Sequence, residues 1–457
     1  MKPKERMAIP RQKPKELSVE ERIDNFKEIV FGYDAETAKL EAERCLQCKK
    51  PGCVEGCPLH NDIPGFIKLL REGQIEDAYW TIRKTSSMPA ICSRVCPQEF
   101  QCEGKCIRGK KGDPVAIGML ERYVVDWMVE NNKNLMEPCA MPIGKKVAIV
   151  GSGPAGMTVA YNLAHKGINC TIFDTLPVLG GMLTVGIPPF RLPREIIKAE
   201  FDALKSCGVE IIDGVTIGKD KTLQDLKDEG FDAVFVGVGA HESRKLGIPG
   251  EDLEGVLHGV DYLREVFLGK DINLGNRVVV VGGGNVAIDV ARVALRKGSK
   301  DVFILYRRTK KEMPASQAEI HHLEEEGVRI EFLAAPVAIH GENGRLSKIE
   351  CIRMKLGECD TSGRCRPVPI EGSNFFIEAD AIVAAISQRV NPTVINGIEV
   401  KRTDWGTFEV NPETLQTSVP WIFAGGDDVL GPQTVAKAAY QGRIAADSIE
   451  RFLKGEL

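Results

Sequence analysis

The sequence predicts an α-helical N-terminal domain followed by two α/β Rossmann-like dinucleotide-binding domains, the second inserted into the first. Three observations predict it. Eight of the fourteen cysteines fall between Cys45 and Cys106, in a stretch with helical apolar spacing. Two glycine-rich loops, about 130 residues apart, each follow a short apolar run and open a helical pattern. A final strand, a GGD turn and a helix close the chain.

Composition bounds the function. The chain has 457 residues, room for roughly three domains of about 150 residues each. Its apolar fraction of 43% and charged fraction of 27% are those of an ordinary soluble globular protein. A net charge of −4 gives no reason to expect nucleic acid or an anionic membrane as partner. No apolar run approaches the ~18–20 residues of a membrane helix. No apolar segment of the secretory kind follows the basic start. A cytoplasmic location is therefore expected, where thiols stay reduced and clustered cysteines bind metal.

The chain opens with Lys2, Lys4, Arg6, Arg11, Lys13 and Lys15 among Pro3, Pro10 and Pro14, which reads as a solvated basic tail. The next runs, AETAKLEAERCLQC, IPGFIKLLREGQIEDAYWTIRKT and VAIGMLERYVVDWMVENN, are spaced as helices. Pro142 and Gly144 mark a linker. From KKVAIVGSGPAG onward strands and helices alternate, the pattern of parallel, doubly wound sheets. The expected domains are 1–140, then 145–257 together with 380–457, with 258–379 inserted between them.

The first loop is GSGPAG. Gly151 makes the tight turn, Gly153 lets the backbone approach a pyrophosphate, and Gly156 lets helix and strand pack closely. Asp174 ends the next strand, where an acid can bond ribose hydroxyls. The second loop is GGGNVA, with Gly282, Gly284, Asn285 and Ala287 in a GxGxxA variant. Its next strand, VFILY, ends in Arg307 and Arg308 instead of an acid. Paired guanidiniums suit a 2′-phosphate, so NADPH is expected over NADH. The first domain, split by an insertion, then fits FAD. Gly425, Gly426 and Asp427 follow the strand VPWIFA, and Asp427 can accept bonds from the ribityl or phosphate side. The helix after Gly431 can aim its positive end at reduced flavin. Hydride transfer between the two needs positioning, and no side-chain nucleophile or base is expected. His321 and His322, in AEIHHLEEEG, read as exposed helix residues.

The cysteines form two runs, CLQCKKPGCVEGCP and CSRVCPQEFQCEGKC. Zinc sites favour paired CxxC knuckles, but only Cys45 and Cys48 make one. Eight thiols with Cys57 and Cys96 each before proline fit two [4Fe–4S] clusters better. In two-cluster ferredoxins the fourth cysteine of a compact run serves the other cluster, so Cys57 is expected to cross over. The remaining Cys139, Cys170, Cys207, Cys351, Cys359 and Cys365 are scattered. Cys359 and Cys365 flank the turn signal DTSGR and read as incidental hairpin residues.

Together with PVAIGMLERY, LGGMLTVGIPPFRLP, YRR and AGGD, these motifs resemble one family over nearly the whole chain. It is the small (beta) chain family of NADPH-dependent glutamate synthase. The chain also resembles the large flavoprotein subunit of NADH-dependent reduced ferredoxin:NADP oxidoreductase and the N-terminal part of dihydropyrimidine dehydrogenase. The resemblance implies one cluster on Cys45, Cys48, Cys53 and Cys106. It implies another on Cys57, Cys96, Cys102 and a non-cysteine ligand, at the position of Glu121, with Cys92 a nearby thiol. It places Gly180, Gly181, Met182 and Gln388 near the flavin. It implies electron flow from NADPH to FAD, then to the clusters, then to a partner subunit. That partner is a glutamate synthase large chain or, in the bifurcating alternative, a small FAD/[2Fe–2S] subunit or ferredoxin. No CxxC occurs after Cys48, so a dithiol of the thioredoxin-reductase type is not expected. The non-enzyme alternative is a zinc-containing nucleotide-binding regulator.

Overall fold

The structure, a computed structural model, describes residues 1–361 and 363–457. The N-terminal domain is helical. Its helices Ala35–Glu43, Ile63–Arg71, Ile75–Arg83 and Ile117–Glu130 pack around Phe66, Ile67, Ile82, Leu120 and Val124. The run that starts at Ile63 breaks in two because Gly73 turns at φ +80°, a conformation that ends helices.

The basic start is a solvated tail only in its lysines: Lys2, Lys4, Lys13 and Lys15 are exposed, but Arg6 and Arg11 are engaged. Arg6 donates to the carbonyl of Cys45 at 3.0 Å, and Arg11 pairs with Glu103 at 2.7 Å. Arg22 is 2% exposed and packs against the helix Gln317–Glu325. His322 of that helix is likewise buried, with Nε2 3.0 Å from Glu16, so only His321 is the surface residue expected. The local pattern could not show this, because the covering surface comes from about 300 residues away in the chain.

The first parallel sheet opens with β1 (Lys146–Val150), β2 (Asn169–Phe173), β3 (Glu210–Ile212) and β4 (Ala233–Val236). A short strand, β5 (Glu242–Ser243), leads out of it. The inserted sheet holds β6 (Val256–His258), β7 (Arg277–Val281), β8 (Asp301–Tyr306) and β9 (Arg329–Phe332). An antiparallel layer follows, made of β10 (Ala334–Glu342), β11 (Arg345–Cys359), β12 (Cys365–Pro369) and β13 (Phe375–Glu378). Then come β14 (Ala381–Ala384), β15 (Gln388–Arg389) and β16 (Ile422–Ala424). The first sheet runs β16-β4-β1-β2-β3 and the inserted one β6-β14-β7-β8-β9. Helices cover both faces, so the middle strands are apolar throughout; Val147, Ala148 and Ile149 are fully buried.

The expected domain boundaries shift. β14 pairs with both β6 and β7, so 256–258 and 381–384 belong to the inserted sheet and not to the first. The chain changes domain at the antiparallel ribbon of β5 and β15, where Ser243 faces Gln388. A buried parallel strand reads the same whichever sheet it joins, so pairing alone decides.

In each sheet the central strand, β1 or β7, has neighbours on either side reached by opposite crossovers. Ligands bind at the carboxyl ends of strands at such points. The domains are held together by shared cores and buried charge. Leu59, Met88 and Ile91 of the helical domain share a core with Val147, Leu163 and Phe423. Arg191 pairs with Asp289 across the two dinucleotide domains at 2.7 Å. Glu326 takes Arg22 at 3.1 Å and Arg292 and Arg296 at 2.8 Å each.

Burial opposes ionisation of Glu326, but hydrogen bonds from Arg296 and Arg292 hold its carboxyl down at about 2, against an ordinary 4.5. A depressed folded pKa contributes stability that is complete above the unfolded value and is lost as pH falls through the folded one. Replacing Glu326 by Gln leaves buried guanidiniums unpaired and is expected to cost roughly 3–5 kcal/mol at neutral pH. Denaturant unfolding of wild type and Glu326→Gln from neutral pH down to about 2 checks this. The gap narrows as pH falls from 4.5 towards 2; a constant gap removes the charge argument.

Candidate functional site

β1 ends at Val150, and the chain turns at Gly151 with φ +102°. A Cβ there would meet the Gly237 carbonyl oxygen at 2.3 Å. Gly156 sits in the first turn of the helix Pro154–His165, where a Cβ would meet the Gly151 oxygen at 2.0 Å. Gly153 differs, since nothing lies within 4 Å of its Cβ position. Its backbone faces open cavity, ahead of helix N–H groups that favour an anion. Asp174 accepts from the N–H groups of Ser152 and Leu176, each at 2.8 Å, so it braces the loop while lining the cavity. Gly180 donates to the Ser152 hydroxyl at 2.8 Å and stands behind the wall that Gly181 and Met182 form.

At the other end of the sheet, Gly426 has φ +75° and donates to the Gln441 side chain at 2.7 Å. Asp427 accepts the Gln433 N–H at 3.0 Å, and burial pushes its carboxyl up to about 6. Asp428 is fully buried behind it, accepts the Gly239 N–H at 3.1 Å, and is pushed up to about 8 by burial.

The second loop repeats the geometry. A Cβ on Gly282 would meet the Ala385 oxygen at 2.3 Å, and Gly284 caps the helix Asn285–Arg296. Ala287 stands where a third glycine would and is fully buried. The side chain of Asn285 accepts the Ser316 N–H at 3.0 Å. After β8, Arg308 donates to the Cys365 carbonyl at 2.9 Å. Burial, then the charges of Arg308 and Arg364, push Arg307 below its ordinary value. Three guanidiniums therefore gather on one corner, a setting receptive to phosphate. Arg364 carries no sequence signal of this; the hairpin of β11 and β12 brings it there.

The first loop, Gly426, Asp427, Gln388 and Asn285 line one cavity of about 680 Å³. All three domains wall it. Val95 and Pro97, on either side of Cys96, come from the helical domain; Val286 and Asp289 come from the inserted one. Gln101 of the second cysteine run donates to Thr434, at the start of the helix Val435–Leu453, at 3.2 Å. His241, Arg191 and Arg264 also face the cavity, and sequence patterns singled out none of them.

The two cysteine runs interleave. A Cβ on Gly52 would meet the Lys105 oxygen at 2.8 Å, and one on Gly56 the Gln101 oxygen at 2.6 Å, so the backbones touch. Cys45, Cys48, Cys53 and Cys106 line one small hollow with Ile63 and Ile67. Burial, then the thiols of Cys106 and Cys45, push Cys53 up to about 12. Cys57, Cys92, Cys96 and Cys102 gather around Glu121. Glu121 is 8% exposed, its Oε1 is buried without a hydrogen-bond partner, and burial pushes its carboxyl up to about 8. An acid so placed among thiols calls for positive charge, as cluster iron supplies. A tetrahedral zinc site holds its sulfurs about 3.8 Å apart. Among the described residues, three ligating side chains converge within 4.8 Å at Cys139, His165 and Cys207, and no three of the N-terminal thiols lie that close to one another. The expectation of reduced, scattered cysteines fails in part: Cys139 is disulfide-bonded to Cys207 and Cys359 to Cys365. The expected hairpin pair thus closes its own turn.

Residues 22–133 match the family described as dihydropyrimidine dehydrogenase domain II, 4Fe–4S cluster. Residues 145–442 match the pyridine nucleotide-disulphide oxidoreductase family. The chain is 43% identical over 427 residues to the NADP(+)-dependent formate dehydrogenase subunit beta of Moorella thermoacetica, covering 88% of this chain and 60% of that one. It is 36% identical to the glutamate synthase [NADPH] small chain of Escherichia coli, covering 98% of each. In fold, 68% of the chain superposes on 85% of Mycobacterium tuberculosis FprA, solved in complex with NADPH, at a TM-score of 0.60 and 22% identity. No helix among the described residues is long and apolar enough to cross a membrane.

Gly153 supplies a test that separates ligand from fold. Gly153→Ala meets no protein atom within 4 Å, so unfolding of the flavin-stripped variant should match wild type within about 0.5 kcal/mol. Its flavin-to-protein ratio after dialysis should fall severalfold. Full flavin retention would show that the loop does not cradle the pyrophosphate.

Proposed function

Because the chain belongs to the pyridine nucleotide-disulphide oxidoreductase family and carries a 4Fe–4S domain ahead of it, we propose that it takes electrons from NADPH and delivers them to a partner subunit. It is an NADPH-linked oxidoreductase of the FAD and iron–sulfur kind, related to glutamate synthase small chains. One observation carries the electron path: one cavity of about 680 Å³ is walled by the first dinucleotide loop, by Asn285 and Val286 at the start of the second dinucleotide helix, and by the residues flanking Cys96.

A bound flavin would supply the chemistry that couples hydride transfer to one-electron transfer. The residues of this chain bind and orient. The Gly151 loop and the helix behind it hold the pyrophosphate, and Asp427 accepts bonds from the ribityl side. Pro432, Gln433 and Thr434 bring the positive end of the C-terminal helix to the cavity, where it favours negative charge on the flavin. The Gly282 loop seats the second dinucleotide, and Arg307, Arg308 and Arg364 take its 2′-phosphate. No side chain is assigned a nucleophile or base role.

We assign Cys57, Cys96, Cys102 and Glu121 to the cluster beside the flavin. The bridge from Gln101 to Thr434 and the orphaned Glu121 oxygen support this. We assign Cys45, Cys48, Cys53 and Cys106 as the residues that would hold the outer cluster, next to the exposed Lys49 and Lys50, where it would supply the electron exit. The match over 98% of a glutamate synthase small chain supports a separate large chain as acceptor. The chain spans 60% of the formate dehydrogenase relative, so that relative's whole activity is not carried over. Anaerobic purification with the native partner tests the choice. A large amidotransferase chain supports this reading, and a small FAD/[2Fe–2S] partner supports the bifurcating one.

Two measurements test the assignments. Arg307→Ala with Arg308→Ala should raise KM for NADPH roughly 10- to 100-fold in dye reduction and leave NADH nearly unchanged. Equal losses would remove the 2′-phosphate role. Glu121→Ala should lower iron by about four atoms per chain, the content of one cluster, while Cys92→Ala keeps it. The reverse result would make Cys92 the ligand.

A further inference from the structure

A second constellation of soft ligands lies away from the cavity. Cys139 belongs to the connector between the helical domain and β1, and Cys207 caps the helix Arg194–Ser206. They lie 68 residues apart in sequence and are disulfide-bonded. His165, the last residue of the first dinucleotide helix, completes the group: its ring nitrogen and the two sulfurs all lie within 4.8 Å of one another. None of the three lines the flavin cavity. The helix has 12 residues, which puts His165 about 18 Å from its pyrophosphate end. Flavin therefore does not touch this disulfide.

The imidazole is set up as a ligand. Its Nδ1 lies 2.7 Å from the Tyr161 carbonyl oxygen, a bond that requires the proton on Nδ1 and leaves a lone pair on Nε2. The Tyr161 ring packs against it with centroids 4.3 Å apart and holds its orientation. Nε2 is buried and has no hydrogen-bond partner. A buried unsatisfied nitrogen calls for an explanation. Metal-bound histidines have this arrangement, with one nitrogen on the metal and the other donating to a backbone carbonyl.

We propose that Cys139, Cys207 and His165 form a redox-gated site for a thiophilic divalent cation of the zinc class. As a disulfide, the two sulfurs tie the connector to the flavin domain and bind no metal. A dithiol reductant gives two electrons and two protons to the S–S bond; the bond breaks, two thiols form, and the reductant becomes a disulfide. The cation then displaces both thiol protons and forms two thiolate bonds. His165 Nε2 supplies a third, and water takes the fourth position, since all three side chains are partly exposed. In either state the connector stays pinned to the flavin domain: by the covalent bond in one, by the cation in the other. Only the reduced, metal-free state releases it.

The test uses the holoenzyme under anaerobic conditions. Alkylation mapped by mass should find Cys139 and Cys207 blocked before dithiothreitol and free after it. After the dithiol is removed, dialysis against zinc should load one zinc per chain on the reduced protein and none on the oxidised protein, with iron and flavin unchanged. Cys139→Ser with Cys207→Ser should abolish that uptake, and His165→Gln should weaken it about tenfold or more. The comparison of oxidised with reduced wild type needs no variant to fold. Equal zinc uptake in both states, or uptake that survives loss of both cysteines, overturns the proposal. A reduced protein that takes up no zinc overturns it as well and leaves a plain disulfide clasp.

Discussion

Three arginines converge on one buried carboxylate, and the arrangement of the domains depends on it. Arg22 comes from the short helix Val19–Ile23, Arg292 and Arg296 from the second dinucleotide helix, and Glu326 from the end of the helix Gln317–Glu325. Each ion has left water, and the loss is recovered only while all the partners stay in place. The neighbouring pairs Arg191–Asp289 and Arg191–Glu319 extend the network to the flavin domain. Sliding one domain against another would strip these charges of partners at several kcal/mol each. The network thus holds the first nucleotide loop and the start of the second nucleotide helix on one cavity. Hydride transfer asks for that: fixed, close positioning of two rings, with no chemistry demanded of side chains.

The helical domain solves a different problem, the crossing of two cysteine runs. Gly52 and Gly56 let the first run lie on the backbone of the second at Lys105 and Gln101. Any side chain at those two positions would push the runs apart. Once they touch, Cys106 falls beside Cys45 and Cys53, and Cys57 falls beside Glu121. The four cysteines of the first run therefore do not share one site, although only twelve positions separate the first from the last. The same crossing carries Cys96 to the cavity rim, because Val95 and Pro97 already line it.

Much of this was legible in the sequence because it is local. Gly151 and Gly156 have distinct steric tasks, and each is found at its task, while the Cβ position of Gly153 faces open space. The strands that bury both faces read as apolar runs, and the cysteine spacing pointed to clusters rather than zinc. The burial of Glu121 was not legible, because an isolated helical acid reads as a surface residue and only the family likeness set it apart. Other parts were misread for a common reason. Arg6 and Arg11 in the basic start look solvated until Glu43 and Glu103 cover them. His322 looks exposed until Glu16 meets it. The strand 381–384 looks like the return to the first domain until β6 and β7 pair with it.

By itself, then, the sequence determined the parts: two phosphate loops, a helical cysteine domain, an arginine pair after the second loop, and the cofactor classes these require. Each follows from steric or ligand demands that act over a few residues. Only the tertiary structure decided which parts meet. It joined Arg364 to Arg307, placed Gln101 on Thr434, gathered the domains around one cavity, and brought Cys139 to Cys207 and His165. Those meetings depend on burial and charge pairing between segments far apart in the chain. The residues involved carry no local mark of their partners, because the energy that selects each contact exists only once both surfaces have left water.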